Sequence, residues 1–370
     1  MTRAYQVDVL TDWRGFEPRW QRFAQQPGAT PFENSLWLKT WLDSFAGPKV
    51  APVLLAARNA ASGQDALLLP LVLSRRGPIR YLTFPDFFVT DCNAPGIGPG
   101  APADAEGARR LWSDVLAALP PADILDLDKM PADVAGRANP LVLAGGAVPS
   151  LYRQHMIHVA GGWDAYLAGL ERGFRKELGR SLRMFEAAGA GAQFQRAKNA
   201  DEGMAILGAI HGFQLERLTE RGANHVFGDE PYERFYEGLV TAGAAGGFVQ
   251  VSALELDGRI VAGMLAISAR PRVTFLRLGH AGGELSRIGL GRLIIERTMR
   301  AFAQDGFTEF DFSIGEGEHK RRFRTEPMPL WSVRRQLSWR AAPVLAADRL
   351  RELARGVPAL RALASRLKRR

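Results

Sequence analysis

The pattern of hydrophobic and polar positions divides the second half of the chain into strands, one helix and glycine-rich connections. Three apolar stretches with strand composition come first, and Asp257-Gly258 between the first two favours a two-residue hairpin. A glycine-rich loop then leads into a segment whose apolar residues recur at helical spacing, and a last strand follows. The predicted segments are FVQVSALEL, RIVAGMLAIS, RVTFLRLGHA, the loop GGELSRIGLG, the helix RLIIERTMRAFAQDG and the strand FTEFDFSI.

The first half of the chain repeats this order of elements. Three strands, a glycine-rich loop, a helix and a strand are predicted as APVLLAARN, ALLLPLVLS, IRYLTF, NAPGIGPG, AEGARRLWSDVLAAL and DILDLDKM. The two halves share element order rather than residue identity. They indicate a duplicated unit of the α/β (α+β) class, in which a mixed, mostly antiparallel sheet is flanked by helices.

The length of the chain favours two domains, because 370 residues exceed what one ordinary hydrophobic core holds. We expect an N-terminal domain over 1–150, a C-terminal domain over 151–333 and a basic helical tail over 334–370. The sequence Gly356-Val357-Pro358 interrupts the tail, which predicts two short helices there.

The two glycine-rich loops differ in how well they suit a phosphate group. From Ser286 to Gly291 the second loop has no proline, and its glycines open a helix, where unpaired N–H groups and the helix dipole favour an anion. The first loop contains Pro95 and Pro99, each of which lacks an N–H donor. We therefore expect a phosphate-bearing cofactor at the second loop and none in the N-terminal domain.

Two common phosphate-binding motifs are excluded at the second loop. A dinucleotide fingerprint that began at Gly289 would need glycine at position 294, where Ile294 stands. A P-loop would need Gly-Lys-Ser/Thr, whereas Gly291 is followed by Arg292 and Leu293.

The composition is that of a globular protein, with 46% hydrophobic and 24% charged residues. A single cysteine, Cys92, excludes an intramolecular disulfide. No signal-peptide pattern is evident at the N-terminus, and the longest uncharged run, residues 238–254, is too short and too rich in Gly, Ala and Gln to span a membrane. We therefore expect a cytoplasmic protein.

The net charge of +9 originates in the tail. Residues 334–370 carry eleven basic and two acidic residues, so residues 1–333 are neutral, with 37 of each sign. A basic face for nucleic acid is therefore not expected. Leu360, Leu363 and Leu367 share one helical face among basic residues, which favours peripheral contact with the inner face of a membrane. Packing of a terminal helix against the body is the alternative.

The segment from the second loop to the last strand resembles the GNAT superfamily of acyltransferases. GNAT pyrophosphate loops read Gln/Arg-x-x-Gly-x-Gly/Ala, and LSRIGLGRLIIERTMRAFAQDG has this spacing at Gly289 and Gly291, with Ser286 at the Gln/Arg position. Together with the following FDFSIGEGEHKRRF, it is most similar to the branch named for CelD-type and BioF2-like acetyltransferases.

That branch has a strand-end pattern, Asp-x-x-x-Gly-x-x-x-Tyr-Lys, which Asp311, Gly315 and Lys320 match with His319 at the tyrosine position. A basic helix, FRKELGRSLRMFEAAG, and the N-terminal PFENSLWLKTWLDSFAG also resemble the branch, so the likeness covers about residues 5–340. It implies two tandem GNAT-like domains and an acyl-CoA donor such as acetyl-CoA. The implied reaction is transfer to an amine or hydroxyl of a small molecule or a cell-surface saccharide precursor.

The resemblance places the donor site in the second domain. Backbone N–H groups of a six-residue loop would bind the pyrophosphate: Ser286, Arg287, Ile288, Gly289, Leu290 and Gly291. GNAT strands also supply N–H groups that polarise the thioester carbonyl, and here VTFLRLGHA would supply them. The candidate positions are Leu278, Gly279 and His280.

An acceptor amine is protonated at neutral pH, so its reaction needs a base. Asp311 or His280 is expected to serve, directly or through water. Because strand side chains alternate, Asp311 shares a face with Glu309 and Ser313. The structural alternative for Asp311 is a carboxylate that binds nearby backbone N–H groups. For His280 it is an exposed or hydrogen-bonded histidine.

Acceptor-side residues are expected beyond the last strand and on the basic helix. Ser313, His319 and Lys320 are candidates, and Lys320 would meet a phosphate or carboxylate as a point charge. Arg175 and Arg180 belong to the basic face of an amphipathic helix, which suits an anionic acceptor. A solvated basic face is the alternative.

Two other functions stay open on the sequence alone. A FemAB-like transferase that uses aminoacyl-tRNA has the same tandem fold, although no long helical insertion for tRNA is evident here. A non-catalytic accessory protein of exopolysaccharide synthesis would use the domains as a scaffold. No covalent cysteine intermediate is expected, because the second half lacks cysteine, and no metal-ligand spacing is present.

Overall fold

The computed structural model describes residues 3–159, 161–220 and 228–348. The strands in this part of the chain are β1 Tyr5–Leu10, β2 Val50–Asn59, β3 Asp65–Arg76, β4 Ile79–Thr83, β5 Gly96–Ile97, β6 Ile124–Met130, β7 Asp133–Val134, β8 Arg137–Ala138, β9 Val148–His158, β10 Gln193–Arg196, β11 Val249–Leu256, β12 Arg259–Ala269, β13 Arg272–His280, β14 Glu309–Ile314 and β15 Glu326–Gln336. All of them except the β7–β8 ribbon belong to one large mixed sheet.

Helices cover both faces of this sheet. The helices of the described residues are α1 Trp13–Ala24, α2 Ser35–Phe45, α3 Ala105–Ala118, α4 Pro140–Leu143, α5 Trp163–Gly169, α6 Arg172–Glu186, α7 Ala200–Glu220, α8 Glu230–Gly243, α9 Leu290–Gln304 and α10 Glu318–Arg322. Several start where the sequence supplies a capping side chain: Asp12, Asn34 and Asp104 accept hydrogen bonds from backbone N–H groups in the first turns of α1, α2 and α3. None of the described helices is long and apolar enough to cross a bilayer.

The two halves have the duplicated element order that the sequence predicts. In the first half β1 to β4 form an antiparallel meander, and β6 returns parallel to β4 after α3. In the second half β10 to β13 form the meander, and β14 returns parallel to β13 after α9. The predicted fold class, a mixed and mostly antiparallel sheet with flanking helices, is confirmed.

Two strands that the sequence did not predict join the halves. β9 follows β6 in the chain but pairs with β14, and β15 follows β14 but pairs with β6. β9 and β15 also pair with each other, which makes the sheet continuous. The expected boundary at residues 150 and 151 therefore falls inside β9, and residues 334–336 of the expected tail are the end of β15. The domain division itself stays a proposal.

A shared aromatic core also holds the halves together. α2 packs against α8, where the ring of Trp37 meets that of Phe235 edge-on at a centroid distance of 5.0 Å. Phe45 makes a similar edge contact with Tyr232 at 5.1 Å. Aromatic pairs of this kind contribute about 0.5–1.5 kcal/mol each beyond the area that they bury. Both halves therefore depend on one another for packing as well as for strand pairing.

The second-half sheet lies between two helical layers. α7 and α8 cover one face, whereas α6 and α9 cover the other. The predicted hairpin at Asp257-Gly258 has positive φ at both residues, as a two-residue type I′ turn requires. The predicted strands and helices of both repeats are present, although α9 begins two residues before the predicted helix. Of the two short helices predicted in the tail, residues 342–348 are helical, whereas the break at residues 356–358 and the second helix lie outside the described residues.

Candidate active site

A fork between β13 and β14 is the central feature of the second half. The two parallel strands pair only at their beginnings, from Arg272 opposite Glu309 to Thr274 opposite Asp311. Beyond that point β13 contains a bulge, because Leu276 has no opposite residue in β12. The strand ends therefore diverge and leave a cleft of about 380 Å³ between them.

Residues from several elements line this cleft, which we call the fork cleft. They come from β13 (Phe275, Leu276, Arg277, Leu278), from β14 (Phe312, Ser313, Ile314), from α10 (His319, Lys320), from α8 (Tyr236) and from the loop between β4 and β5 (Phe88, Val89, Asp91). The predicted residues Leu278, Ser313, His319 and Lys320 are therefore brought together. Asp311, His280, Arg175 and Arg180 are not among the lining residues.

The pairing of β13 with β12 fixes which of its N–H groups face the fork. The N–H of Ala281 donates to the carbonyl of Val261, so these opposite residues form a hydrogen-bonded pair. Opposite residues in an antiparallel ladder alternate between bonded and non-bonded pairs. Gly279 is therefore bonded to β12, whereas Leu278 and His280 direct their backbone groups away from β12 and toward the open edge.

Gly279 has a packing role on the other face of the strand. A β-carbon at this position would lie 2.7 Å from the carbonyl oxygen of Ile210, which belongs to the backbone of α7. Only glycine therefore lets α7 approach β13 this closely. Gln214 of α7 reaches the same strand, where its Nε2 donates to the carbonyl of Leu278 over 3.0 Å.

The predicted phosphate loop forms a short 3₁₀ segment over residues 283–288, followed by Gly289 in the left-handed region. Ser286 and Arg287 are exposed, whereas Ile288 and Leu290 are buried and anchor the loop in the core. No side chain in the described part of the chain caps the start of α9. The first N–H groups of α9 are therefore available to an anion.

Arg292, one turn into α9, folds back over this loop. A β-carbon on Gly289 would lie 2.3 Å from its Cζ, and its Nε donates to Ser181 of α6 over 2.9 Å. Glu177 of α6 lies 3.9 Å from the Arg292 guanidinium and accepts a hydrogen bond from Arg322, which lowers the pKa of its carboxyl group. Arg292 of α9 and Arg322 of α10 are thus two cations near the loop, and Glu177 of α6 is their shared partner.

The two predicted bases have different surroundings. The imidazole of His280 lies against the first turn of α9, since a β-carbon on Gly291 would be 3.0 Å from its Cδ2. Its Nδ1 lies 3.1 Å from the carbonyl oxygen of Ala281. His280 is therefore close to the phosphate loop rather than in the fork cleft.

Asp311 is completely buried, and its carboxylate is fully engaged. Oδ2 accepts hydrogen bonds from Gln154 over 2.6 Å and from Thr274 over 3.3 Å, and Oδ1 accepts the N–H of Ser313 over 2.8 Å. Burial raises the pKa of this carboxyl group. These hydrogen bonds tie β9, β13 and β14 together at the base of the fork. Asp311 thus has the bonding expected of a structural carboxylate, including a bond to a nearby backbone N–H group.

Lys320 holds the open end of the fork. Only 5% of the residue is exposed, and its Nζ donates to the carbonyl oxygens of Ser313 and Ile314 over 2.9 and 2.8 Å. Ser313 has positive φ, which is uncommon for a residue other than glycine, and its hydroxyl donates to Phe275 across the fork. Burial lowers the pKa of Lys320 to about 8.

His319 is exposed beside Lys320, and its ring stacks on Phe312 at a centroid distance of 6.5 Å. Arg175 and Arg180 lie instead on α6, where the Arg175 guanidinium donates to the carbonyl of Ala168. Their helix contacts the predicted phosphate loop and α9. The charge of Arg180 also helps to lower the pKa of Glu177, which lies near Arg292 beside that loop.

Sequence reasoning missed several residues of the fork cleft. Arg277 donates to Gln214 over 3.0 Å and lies 4.6 Å from the ring centre of Tyr236. Asp91 reaches the cleft from the first half of the chain, and burial raises its pKa to about 6. No local motif marks these residues, because they meet only through the packing of distant segments. The described residues contain no group of three side chains suited to a metal ion.

Comparisons with known proteins agree with this architecture. Residues 172–321, from α6 to α10, match the family described as an acetyltransferase (GNAT) domain. No curated protein matches the sequence.

Solved structures have the same fold at low sequence identity. FemX has a TM-score of 0.59 at 12% identity, over 88% of this chain and 96% of its own. L-PGS from Bacillus licheniformis scores 0.51 at 12% identity, over 91% and 96%. A tandem GNAT protein from the clavulanic acid biosynthesis pathway scores 0.50 at 15% identity, over 90% and 99%. The chain therefore has the mixed α/β fold of tandem GNAT proteins, and its residues 172–321 are similar to an acetyltransferase (GNAT) domain.

Proposed function

We propose that the protein transfers an acyl group from acetyl-CoA or another acyl-CoA to an amine or hydroxyl acceptor. The fork between β13 and β14 carries this proposal. Its open strand edge offers N–H and C=O groups to the two amides of a pantetheine arm, and the uncapped start of α9 lies at one end of that edge. The acyl thioester would then extend into the fork cleft.

The phosphate loop and its neighbours form the proposed donor anchor. The pyrophosphate binds the N–H groups of Gly291 and Arg292 at the start of α9, and the Arg292 guanidinium exchanges Glu177 for a phosphate oxygen. The basic face of α6, which includes Arg180, adds positive charge beside this loop. We therefore assign this face to the donor phosphates rather than to the acceptor.

The N–H of Leu278 is the proposed oxyanion donor. It lies on the open edge of β13, and the residue lines the fork cleft. A hydrogen bond aimed at the developing oxyanion contributes about 3 kcal/mol in other acyl-transfer enzymes. Asp311 and Lys320 are positioning residues in this proposal, because the first fixes the base of the fork and the second fixes its end.

The corresponding loop of the first half supports a domain without cofactor. Gly96 and Ile97 form β5 on β3, and the N–H groups of Gly98 and Gly100 donate to the carbonyls of Ala66 and Asp65. A β-carbon on Gly98 would lie 2.0 Å from the oxygen of Asp65. The N–H groups that would bind a phosphate are thus used in packing this loop.

An aminoacyl-tRNA donor is the alternative, which the similarity of fold to FemX supports. Two observations favour acyl-CoA over it. Residues 1–333 have no net charge, and both α7 and α8 pack on the body rather than form a projecting arm.

Thermal unfolding with acetyl-CoA and with longer acyl-CoAs tests the donor. At a concentration 100-fold above Kd, a ligand that binds the folded state stabilises it by about 2.7 kcal/mol. The shift should disappear in Gly291→Trp and persist in Gly208→Trp, a control on the exposed face of α7 where nothing lies within 4 Å. A shift that survives Gly291→Trp would remove the loop from the donor site. Stabilisation by aminoacyl-tRNA but by no acyl-CoA would establish the alternative donor.

We also propose that the basic tail holds the protein at the inner face of a membrane. The charge of residues 334–370 supports this, but residues 334–348 belong to the body: Arg334 pairs with Asp348 at 2.8 Å, and Ala341 is buried. Truncation after residue 348 is therefore the suitable variant. Full-length protein should float with anionic vesicles and the truncated protein should not; equal flotation would end the proposal.

A further inference from the structure

The first half of the chain has a fork of its own. β4 and β6 pair from Tyr81 opposite Ile124 to Thr83 opposite Asp126 and then diverge, as β13 and β14 do. The space between them is a cleft of about 310 Å³, which we call the N-terminal cleft. Its walls combine aromatic rings, including Phe84 and Tyr152, with four carboxylates and the two cations Arg76 and Lys129.

The N-terminal cleft and the fork cleft adjoin each other. Phe88, Asp91 and Ile314 line both of them, so a bound molecule can contact the two clefts at once. Phe88 is 72% exposed at this junction. Both Phe87 and Phe88 have positive φ, a conformation that bulky residues rarely adopt and that the rest of the structure must maintain.

Most acidic groups of the N-terminal cleft are already engaged. Asp86 pairs with Lys129 at 2.6 Å, and Asp128 accepts hydrogen bonds from Ser150 and Ser332. Asp91 differs, because it has no ion pair among the described residues, although a hydrogen bond with Ser313 lowers its pKa. Its carboxylate lies at the junction, where Lys129 and Lys320 are the nearby cations and each is bonded to backbone carbonyls.

We propose that the acceptor is a primary amine whose body lies in the N-terminal cleft against Phe88 and whose nitrogen is held by Asp91 at the entrance to the fork cleft. This inference rests on the acyltransferase function proposed above. A carboxylate and aromatic faces together recognise an organic ammonium group, whereas they repel a phosphate or a carboxylate. The N-terminal half then provides the acceptor subsite, and one reaction centre is built from both halves.

The transfer step balances with Asp91 as the general base. The ammonium group gives one proton to the Asp91 carboxylate, and the free amine attacks the thioester carbonyl carbon. A C–N bond forms and the C–S bond breaks, while the oxyanion is held by the N–H of Leu278. The second proton of the nitrogen leaves with the CoA sulfur as thiol, and Asp91 returns its proton to solvent. Acyl-CoA and an ammonium ion thus give an amide, CoA thiol and one proton.

The test uses a panel of primary amines, namely glucosamine, galactosamine, lysine and spermidine, each compared with its N-acetylated form. Binding is measured by thermal shift with saturating acetyl-CoA, and transfer by release of CoA thiol. We expect at least one amine to be bound and acetylated, whereas the form acetylated on the reacting nitrogen, which has lost the ammonium charge there, binds at least tenfold more weakly. Asp91→Asn should lower kcat at least 100-fold, and Phe88→Ala should raise KM about tenfold, without change in the acetyl-CoA shift. Asp133→Asn, an exposed carboxylate away from both clefts, should behave as wild type.

The other outcomes distinguish failure of the amine assignment, failure of Asp91 as the base and failure of the proposed acyl-CoA donor. If acetyl-CoA stabilises the protein but no amine is bound or acetylated, the amine assignment fails and the donor proposal stands. If amines are acetylated equally by wild type and Asp91→Asn, Asp91 is not the base and the composite site fails. If acetyl-CoA itself has no effect, the proposed function fails first, and the inference fails with it.

Discussion

The ammonium group of Lys320 donates a hydrogen bond of 2.9 Å to the carbonyl oxygen of Ser313. This contact fixes the end of β14 at the point where its backbone enters the left-handed region. The bond crosses from α10 to β14, and Ser313 in turn donates to Phe275 of β13. Lys320 therefore helps to set how far the two strands of the fork diverge, although it follows Ser313 by only seven residues.

Lys320→Met should disturb the fork. Two buried carbonyl oxygens, of Ser313 and Ile314, lose their donor, and an unsatisfied buried acceptor costs about 1–3 kcal/mol. We expect the free energy of unfolding, measured with urea at pH 7.5, to fall by about this amount. The acetyl-CoA Kd should rise, because the strand edge proposed to bind the pantetheine arm would move. Arg321→Met is the matched control, since the Arg321 side chain is 81% exposed; a loss of equal size there would contradict the prediction.

Gly291→Ala should separate ligand binding from stability. Alanine normally stabilises a helix over glycine by about 1 kcal/mol. At position 291 the added carbon would come within 3.0 Å of His280 and would crowd the proposed phosphate site. We therefore expect little gain in stability and at least a tenfold rise in the acetyl-CoA Kd, measured by isothermal titration calorimetry.

Gly208→Ala is the control for that variant. Gly208 is also helical, and a β-carbon there meets open space. It should gain about 0.5–1 kcal/mol with an unchanged Kd. Equal Kd values for the two alanine variants would place the phosphates elsewhere.

The parts of the fold that the sequence predicted are those specified by local patterns. Alternating apolar residues, the Asp257-Gly258 turn and the helical spacing of α9 each act within about a dozen residues. β9 and β15 were missed because their partners come from the opposite half of the chain. β15 carries Pro327 and Pro329, which argue against a central strand, and β9 buries the polar residues Gln154 and His155.

The candidate site shows the same division. The predicted phosphate loop is contiguous in sequence, so glycine spacing alone could indicate it, and its binding role stays a prediction. The alternation of β14 predicted a common face for Asp311 and Ser313, but the positive φ of Ser313 bends the strand end. Asp311 consequently bonds in the interior while Ser313 lines the cleft. Asp91 belongs to a loop more than 180 residues away from β13, and only tertiary packing brings it to the fork.

The pH dependence of activity should follow Asp91. Burial is the main cause that raises its pKa to about 6; Lys129 and a hydrogen bond with Ser313 oppose the shift, whereas Asp311 and Asp86 add to it. A base must be deprotonated, so kcat/KM for an amine acceptor should fall tenfold per pH unit below about 6. A profile measured from pH 5 to 8 in wild type should show this limb. Persistence of the same limb in Asp91→Asn would assign it to another group.

Asp91 should also lower stability at neutral pH. Its folded pKa is raised, so the protonated carboxyl group favours the folded state: this contribution is present below about pH 4 and is lost as the pH rises through about 6. Asp91→Asn should therefore be more stable than wild type at pH 7.5, by no more than about 3 kcal/mol, with a smaller difference at pH 4.5. Urea unfolding at both pH values measures it. A destabilised Asp91→Asn at pH 7.5 would mean that the carboxylate has a structural partner.

Asp311→Asn distinguishes the positioning role of Asp311 from a catalytic one. The carboxylate accepts hydrogen bonds from Gln154, Thr274 and Ser313, and an amide group would turn one of its ends into a donor that faces another donor. We expect a loss of about 1–3 kcal/mol in the free energy of unfolding, measured with urea. The low-pH limb of kcat/KM should stay at about pH 6 in the folded variant, because Asp91 sets it. If Asp311→Asn kept wild-type stability but lost the low-pH fall in kcat/KM, Asp311 would instead be the base. Only a group that exchanges the proton can remove that fall without a change in the fold.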